Sequence, residues 1–186
     1  MNESELTGTK SAIEELATAI AEKLMARFDW LERAHPITQT LTKEKNKREI
    51  RYPAVYLGRN EYRDLLPDDK DQPYAFIILH DPAEYTPNSL TEPTTSQKFS
   101  LVIWGDIRKI YTDGTRHNEL LLRQQVVSFL ARGLGAIPGK VEITQSSTQA
   151  KNVFEGFDYQ ETKSQFLMHP WVGIRIDGIL KTRQAC

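Results

Sequence analysis

The hydrophobic residues near the start of the chain recur every three or four positions and predict an amphipathic helix. The apolar stripe consists of Ile13, Leu16, Ile20, Leu24 and Phe28. This spacing places side chains on one face of a helix, which must then pack against another part of the protein. Ser11 and Glu14 have the spacing of a capping box, in which each side chain accepts a hydrogen bond from the other residue's backbone N–H. A second stripe predicts another helix, and its members are Leu122, Val126, Phe129 and Leu130.

Five further segments have the pattern of β-strands. They are residues 50–57, 74–79, 98–106, 141–144 and 171–180. The segment 98–106 alternates between two sets of side chains, which are Phe99, Leu101, Ile103 and Ser100, Val102, Trp104. We expect apolar groups to cover one of its faces. Because Pro53 has no N–H to donate, we expect strand 50–57 to lie at a sheet edge or to begin at the proline.

The order of these elements predicts the fold class. A helix is followed by two or three strands, a second helix and two more strands, so the chain lacks the regular alternation of a doubly wound parallel sheet. We therefore predict an α+β fold, with a mostly antiparallel β-sheet and two α-helices packed on one face. The length of 186 residues is that of one domain, and we assign residues 1–186 to it.

Two polar segments interrupt the hydrophobic pattern. Residues 35–50 are rich in charged side chains, and we predict a charged insertion there. Residues 81–97 contain Pro82, Pro87 and Pro93 together with Ser, Thr and Asn, which predicts a surface loop. Loops of this length are usually functional or disordered.

Charges of opposite sign flank the strand 50–57. In residues 41–51, five basic residues stand against two acidic ones, and the basic ones are Lys43, Lys45, Lys47, Arg48 and Arg51. In residues 61–71, five acidic residues stand against two basic ones, and the acidic ones are Glu61, Asp64, Asp68, Asp69 and Asp71. We expect these runs either to be solvated loops or, in a head-to-tail ring, to face each other across subunits and set the register. They form the predicted subunit or tube interface.

The overall composition excludes several classes of protein. With 24 Lys and Arg against 25 Asp and Glu, the net charge is -1, so we expect no direct nucleic-acid binding. No run approaches the roughly 18 apolar residues that span a membrane, and the acidic start differs from a signal peptide. The single cysteine, Cys186, has no partner for a disulfide within the chain. We expect a protein that is made and kept in a reducing cytoplasm.

The residues that most often carry catalysis are scattered along the chain. The four histidines lack metal-ligand spacing, and they are His35, His80, His117 and His169. Nucleophile and phosphate-binding motifs are absent from the sequence. We therefore expect no enzyme, no cofactor and no metal. The alternative is a metal-dependent nuclease that places Asp68, Glu161 and Lys163 around a divalent ion, although these residues are farther apart in sequence than in such sites.

Two short motifs remain. The first is Pro53-Ala54-Val55-Tyr56-Leu57-Gly58 followed by Glu61-Tyr62, and the second is Gly156-Phe157-Asp158-Tyr159. Together with the order of helices and strands, they resemble the tail terminator proteins of long-tailed bacteriophages, which are minor tail proteins. In that family a Pro-Ala-Val strand ends in Gly and Glu-Tyr, and Gly-aromatic-Asp-Tyr leads into the closing strand, here residues 171–180. The resemblance covers most of the chain.

The resemblance implies a structural role. Family members pack helices against a sheet and form a hexameric ring that caps the tail tube, ends its polymerisation and offers a surface for joining the head. The implied partners are the chain itself, the tail tube protein and the head–tail connector, first in the bacterial cytoplasm and then in the virion tail. No catalytic residue or cofactor is implied. Because this chain is longer than the smaller members, with extra material at 35–50 and 81–97, another tail or neck protein is an alternative. A protein-interaction module of unknown partner is another.

Overall fold

The computed structural model describes residues 11–45, 47–67, 73–86, 94–111, 119–159 and 164–183. Within them the helices are α1 (Ala12–Arg27), α2 (Ile107–Ile110), α3 (Glu119–Arg132) and α4 (Ala150–Val153), with a 3₁₀ helix at Ser164–Leu167. The strands are β1 (Arg33–Lys45), β2 (Arg48–Gly58), β3 (Glu61–Asp64), β4 (Tyr74–Thr86), β5 (Thr94–Asp106), β6 (Lys140–Ser147) and β7 (Trp171–Arg183).

The strands form one sheet in the order β3-β2-β1-β4-β5-β7-β6. β1 and β4 are parallel, and the other neighbouring pairs are antiparallel. The predicted α+β fold with a mostly antiparallel sheet is therefore confirmed. The predicted order contained too few strands, because five described strands, not two or three, lie between the first two long helices.

Both predicted helices are present, and they pack on the same face of the sheet. Glu14 N donates to Ser11 Oγ at 3.3 Å and Ser11 N donates to Glu14 Oε2 at 2.7 Å, which confirms the capping box of α1. The two apolar stripes join the side chains of β4, β5 and β7 in one core. Its fully buried members include Leu16, Ile20, Leu24, Leu101, Leu122, Val126, Ile174, Ile176 and Leu180. We call this side of the sheet the helical face.

The opposite face of the sheet is also partly covered. There a second core contains Phe76, Val102 and Trp104 of the sheet and Phe154 and Phe166 of the stretch between β6 and β7. The expectation that β5 is covered on one face was wrong, because the whole run from residue 99 to 106 is buried. A central strand with layers on both sides carries apolar side chains on both faces. We call this side the aromatic face.

The charged segment 35–50 is a hairpin of β1 and β2, so the expectation of a loop there was wrong. The strand of the Pro-Ala-Val motif begins before the proline, at Arg48, and lies second from the edge, next to β3. Pro53 pairs with Thr40 of β1, and its carbonyl accepts from Leu65 N at 2.8 Å. Because the N and O of one residue point the same way in an antiparallel strand, the missing N–H faces away from β1.

The predicted loop 81–97 is also mostly strand. β4 continues to Thr86 and β5 begins at Thr94, and the two pair from Glu84↔Ser96 to Thr86↔Thr94. Residues 87–93 lie outside the described part of the chain. The prolines therefore misled the prediction, since Pro82 is accommodated at an irregular point of β4, between the paired residues His80 and Glu84.

Two hairpins, β1–β2 and β4–β5, extend past the parallel pairing of β1 with β4, and the second of them stays paired with β7. β1 and β4 pair in parallel from Arg33↔Tyr74 to Thr38↔Ile78, and the register shifts between His35 and Thr38 of β1. Beyond it, β1 pairs with β2 and β4 with β5, each for about 20 Å at the rise of an extended strand. We call residues 39–54 of the first hairpin the charged arm.

Candidate functional site

The register of the charged arm sorts its charges by sign. Residues that lie directly opposite in an antiparallel pair share a face of the sheet, and neighbours along a strand alternate. Lys45 lies opposite Arg48, with Lys43 two residues earlier on the same face. Glu44 lies opposite Glu49 on the other face. All five side chains are exposed, so the arm has a basic face and an acidic face.

An ion pair between two of the predicted interface residues joins the base of the arm to β3. Lys43 Nζ lies 2.7 Å from Asp64 Oδ2 and 4.4 Å from the ring centre of Tyr52. The basic and acidic runs were expected to be solvated or to meet between subunits, and at this point they meet within one chain. The pair is partly exposed, so its main effect is to orient the arm, since such surface pairs contribute under about 1 kcal/mol.

The other predicted interface residues lie at separate places in the fold. Lys47 lies in the turn of the arm with a left-handed backbone (φ 59°). Arg51 lies opposite Thr42, on the acidic face of the arm. Glu61 begins β3 and is exposed. The predicted acidic residues Asp68, Asp69 and Asp71 lie outside the described residues.

The second sequence motif contacts β2 two residues before the first motif begins. Asp158 Oδ2 accepts from Arg51 N at 2.7 Å, and Asp158 N donates to Arg51 O at 2.9 Å. The described pairs of β3 with β2 begin at Ala54, so Asp158 satisfies the outer edge of β2 where β3 no longer reaches. Gly156 makes the turn that brings Asp158 to the strand, with φ +89°. Sequence reasoning identified both motifs and missed this contact of the second motif with β2.

We expect Asp158→Ala to lower the free energy of unfolding by about 1 kcal/mol and to speed hydrogen exchange at the Arg51 amide, because one acceptor at the edge of β2 is lost. Asp158→Asn is the matched control, since its amide oxygen still accepts from that N–H. Hydrogen exchange measured by mass spectrometry would check this, and equal protection of Arg51 in the alanine variant would contradict it.

An exposed aromatic pair lies at the turn between β2 and β3. Tyr56, Leu57 and Tyr62 are 51%, 59% and 45% exposed, and the two rings lie 5.1 Å apart. The turn itself is tight, because Gly58, Arg59 and Asn60 all have positive φ. The motif Pro53 to Tyr62 therefore places an aromatic pair on the surface, and we call Tyr56 and Tyr62 the tyrosine patch.

A polar network lies on the aromatic face, beyond the end of the second core. Asp177 of β7 accepts hydrogen bonds from Ser100, from Arg175 Nε at 2.7 Å and from Gln145 Nε2 at 2.7 Å. Ser100 has a single hydroxyl proton, which it donates to Asp177. Ser100 Oγ therefore accepts from His80 Nε2, 2.7 Å away, which assigns the proton of the imidazole to Nε2.

This network contains the residue types of a catalytic triad in a different order. In a Ser-His-Asp triad the histidine lies between the nucleophile and the carboxylate. Here Ser100 lies between His80 and Asp177 and is fully buried, so its hydroxyl is not presented to a substrate. The network joins four neighbouring strands, β4, β5, β7 and β6.

The protonation states in the network follow from its geometry. Burial acts to raise the pKa of Asp177, but the hydrogen bonds from Ser100, Arg175 and Gln145 outweigh it and hold that pKa below its ordinary value. Burial, together with the positive charge of Arg175, lowers the pKa of His80. Asp177 is therefore a carboxylate and His80 a neutral imidazole at neutral pH.

A groove of about 790 Å³ lies on the helical side. It lies between the end of α1, α2 and α3, and its floor contains the packed rings of Phe28 and Phe129. Arg27 and Arg132 lie at its rim. The groove is open, and sequence reasoning gave no sign of it.

The nuclease alternative falls on a part of the chain that is not described. Asp68, Glu161 and Lys163 all lie outside the described residues. Among the residues that are described, no three His, Cys, Asp or Glu side chains are grouped closely enough to hold a metal ion. No helix in that same part of the chain is long and apolar enough to cross a membrane. The expected absence of catalysis, metal and cofactor stays a prediction.

No family model matches the chain. No curated protein matches it either.

Proposed function

We propose that the chain is a structural tail protein of a phage or prophage, which caps the tail tube as a ring, ends its polymerisation and provides the surface for joining the head. The charged arm carries this proposal. It extends about 20 Å past the parallel pairing of the sheet, and its tip exposes charges on both faces. A projecting element with this composition is suited to contacts with other subunits.

The positions of the two motifs also support the proposal. Asp158 of the second motif is hydrogen-bonded to Arg51, which lies 107 residues earlier in the chain and just before the first motif, at the base of the arm. Val55 of the first motif and Phe157 and Tyr159 of the second pack against the same core on the aromatic face. The resemblance therefore concerns one region of the fold, the region from which the arm projects.

The tyrosine patch favours a second candidate, a protein-interaction module that acts without forming a ring. Tyrosines held rigidly at the surface are frequent at the centres of protein interfaces. This candidate predicts a chain that remains monomeric and binds its partner through the turn of Tyr56 and Tyr62. The ring proposal predicts self-association.

Negative-stain electron microscopy with the tail tube protein of the same phage or prophage tests the proposal. We expect six-fold rings of the chain at high concentration, and tubes of uniform length that end in a ring. The tube protein alone, and with an unrelated protein at equal concentration, provides the controls and should give tubes of scattered length. A chain that stays monomeric, leaves tube ends bare and does not change tube length would contradict the proposal and favour the interaction module.

A further inference from the structure

Two carboxylates lie side by side near the tip of the charged arm. Glu44 lies directly opposite Glu49 on the acidic face, and both side chains are exposed. Like charges in this position destabilise a pair of strands. Among the ion pairs of the described residues, none involves either glutamate, and Arg51 on the same face makes none with them. The arm therefore carries a double negative charge that a cation from elsewhere would stabilise.

The groove between α1, α2 and α3 carries two cations in the corresponding condition. Arg27 and Arg132 both line it and are exposed, and neither takes part in an ion pair of the described part of the chain. Arg27 Cζ lies 5.8 Å from the centre of the Phe28 ring, so this guanidinium lies over the floor of the groove. Asp29 is the one acidic residue among the described lining residues. The groove is therefore basic on balance.

The groove and the arm tip lie at opposite ends of β1. Phe28 and Trp30 of the groove come just before β1, which begins at Arg33, whereas the tip follows the end of the strand at Lys45. The 13 residues of β1 span about 40 Å at the rise of an extended strand. An arm therefore cannot reach the groove of its own chain.

We propose that the acidic face of the arm tip of one copy docks in the groove of another copy, where Glu44 and Glu49 pair with Arg27 and Arg132. This inference rests on the proposed self-assembly and specifies its contact. The occupant is a second copy, because the chain carries the two halves of the charge complement at two separated places. The pairing also relieves the repulsion between the two glutamates of the arm.

The aromatic floor of the groove suits the turn of the arm. Lys47 lies in that turn and is exposed. The face of an aromatic ring attracts an ammonium group, and the apolar stem of a lysine can lie along a ring while its charge stays in water. Trp30 and Phe28 present such rings in the groove, with their centres 5.1 Å apart.

The contact joins two different surfaces, and this determines the kinds of assembly that it can form. When it is repeated from copy to copy in one direction, it closes into a ring if the rotation between copies allows it. Two copies that exchange arms would give a closed dimer instead. The mass of the assembly distinguishes the two.

The test uses two variants that each reverse one side of the contact. Glu44→Lys with Glu49→Lys makes the arm basic, and Arg27→Glu with Arg132→Glu makes the groove acidic. We expect each variant alone to self-associate at least about tenfold more weakly than the natural chain, in sedimentation velocity at low salt. An equimolar mixture of the two should assemble, because every arm then finds a groove of opposite charge on the other variant. All four substitutions in one chain should also restore assembly.

Matched controls make the same changes in net charge away from the contact. Lys23 and Lys151 are exposed, as are Glu15 and Glu22. Lys23→Glu with Lys151→Glu, and Glu15→Lys with Glu22→Lys, should associate like the natural chain. Circular dichroism of each variant checks folding. Without any substitution, raising NaCl from about 0.05 to about 0.5 M should weaken association of the natural chain, because salt screens exposed charges.

The outcomes separate this inference from the proposed function. If the natural chain associates and either reversed variant associates equally well, the docking is wrong and the ring proposal stands. Failure of the mixture or of the four-fold variant to assemble also overturns the docking, as does association that salt leaves unchanged. Rescue that yields only a dimer supports the docking and contradicts the ring. A natural chain that is monomeric at every concentration overturns both proposals.

Discussion

Replacing Trp104 by alanine is expected to lower the free energy of unfolding by about 3–5 kcal/mol, the largest effect of any single change considered for this chain. Trp104 is 1% exposed and lies at the centre of the aromatic core. Its ring stacks on Trp171 at 4.7 Å with an interplanar angle of 1°, and its Nε1 donates to Phe166 O at 3.2 Å. Truncation removes this packing and leaves a cavity between β5 and the covering stretch.

Chemical denaturation with urea measures this effect, read as a shift of the midpoint at constant slope. Trp104→Phe is the graded control, because it keeps most of the apolar volume while losing the hydrogen bond, and we expect a smaller loss. Leu57→Ala, at a surface position, should change stability by no more than about 0.5 kcal/mol. A loss below about 1 kcal/mol in Trp104→Ala would show that this core does not stabilise the sheet.

Replacing Asp177 by alanine is expected to lower the free energy of unfolding by about 1.5–3 kcal/mol at pH 7. The Arg175 side chain is 9% exposed, and its Nε lies 2.7 Å from Asp177 Oδ1. Without Asp177 the guanidinium keeps the Glu155 carbonyl at 3.0 Å and the Glu155 carboxylate at 4.0 Å, and it loses its nearest anion. A buried charge that loses its partner is costly.

The pH dependence of this effect identifies its cause. The pKa of Asp177 is lower in the folded chain than its ordinary value, so the carboxylate contributes stability above about pH 4 and loses that contribution as the pH falls through the folded pKa. The stability difference between the natural chain and Asp177→Ala should therefore shrink below about pH 4. Ser100→Ala removes a neutral donor and should cost about 1 kcal/mol. A difference that is the same at pH 7 and pH 3 would contradict the electrostatic explanation.

Sequence patterns predicted those helices and strands that are determined by residues close together in the chain. The capping box of Ser11 and Glu14 was recognisable because both residues lie within one helical turn. The strand 171–180 was recognisable because Val172, Ile174 and Ile176 alternate with residues of the other face, and it extends to Arg183 in β7. In both cases the sequence pattern and the final packing depend on the same few neighbours.

The charged arm was missed because it lacks a buried face of its own. Along β1, the residues after Thr38 are mostly polar and exposed, so there is no apolar alternation to detect. A weaker signal was present, since Thr38, Thr40 and Thr42 occupy alternate positions and threonine favours strands. β3 has four residues, and nothing in so short a segment distinguishes it from a loop.

The polar network and the contact of Asp158 with Arg51 could not be predicted from one sequence, for a different reason. Both depend on pairing between distant segments, with Ser100 and Asp177 77 residues apart. Arg175 and Asp177 lie in the predicted last strand, but the sequence alone assigns them no partner. The register of β5 with β7 makes them neighbours of Ser100.

The position of β7 in the sheet also determines how the chain must behave while it is being synthesised. β7 is the last described strand in the chain, yet it pairs with β5 along its whole length and with β6 on its other side. Until β7 leaves the ribosome, β5 has an open apolar edge, and such edges pair readily with other chains. β7 can pair with β5 only when the long segment between them has been closed into a loop, and closing such a long loop slows folding. The chain therefore adds β7 last, between β5 and the edge strand β6. Nascent copies held close together on one messenger would be the most exposed to mispairing.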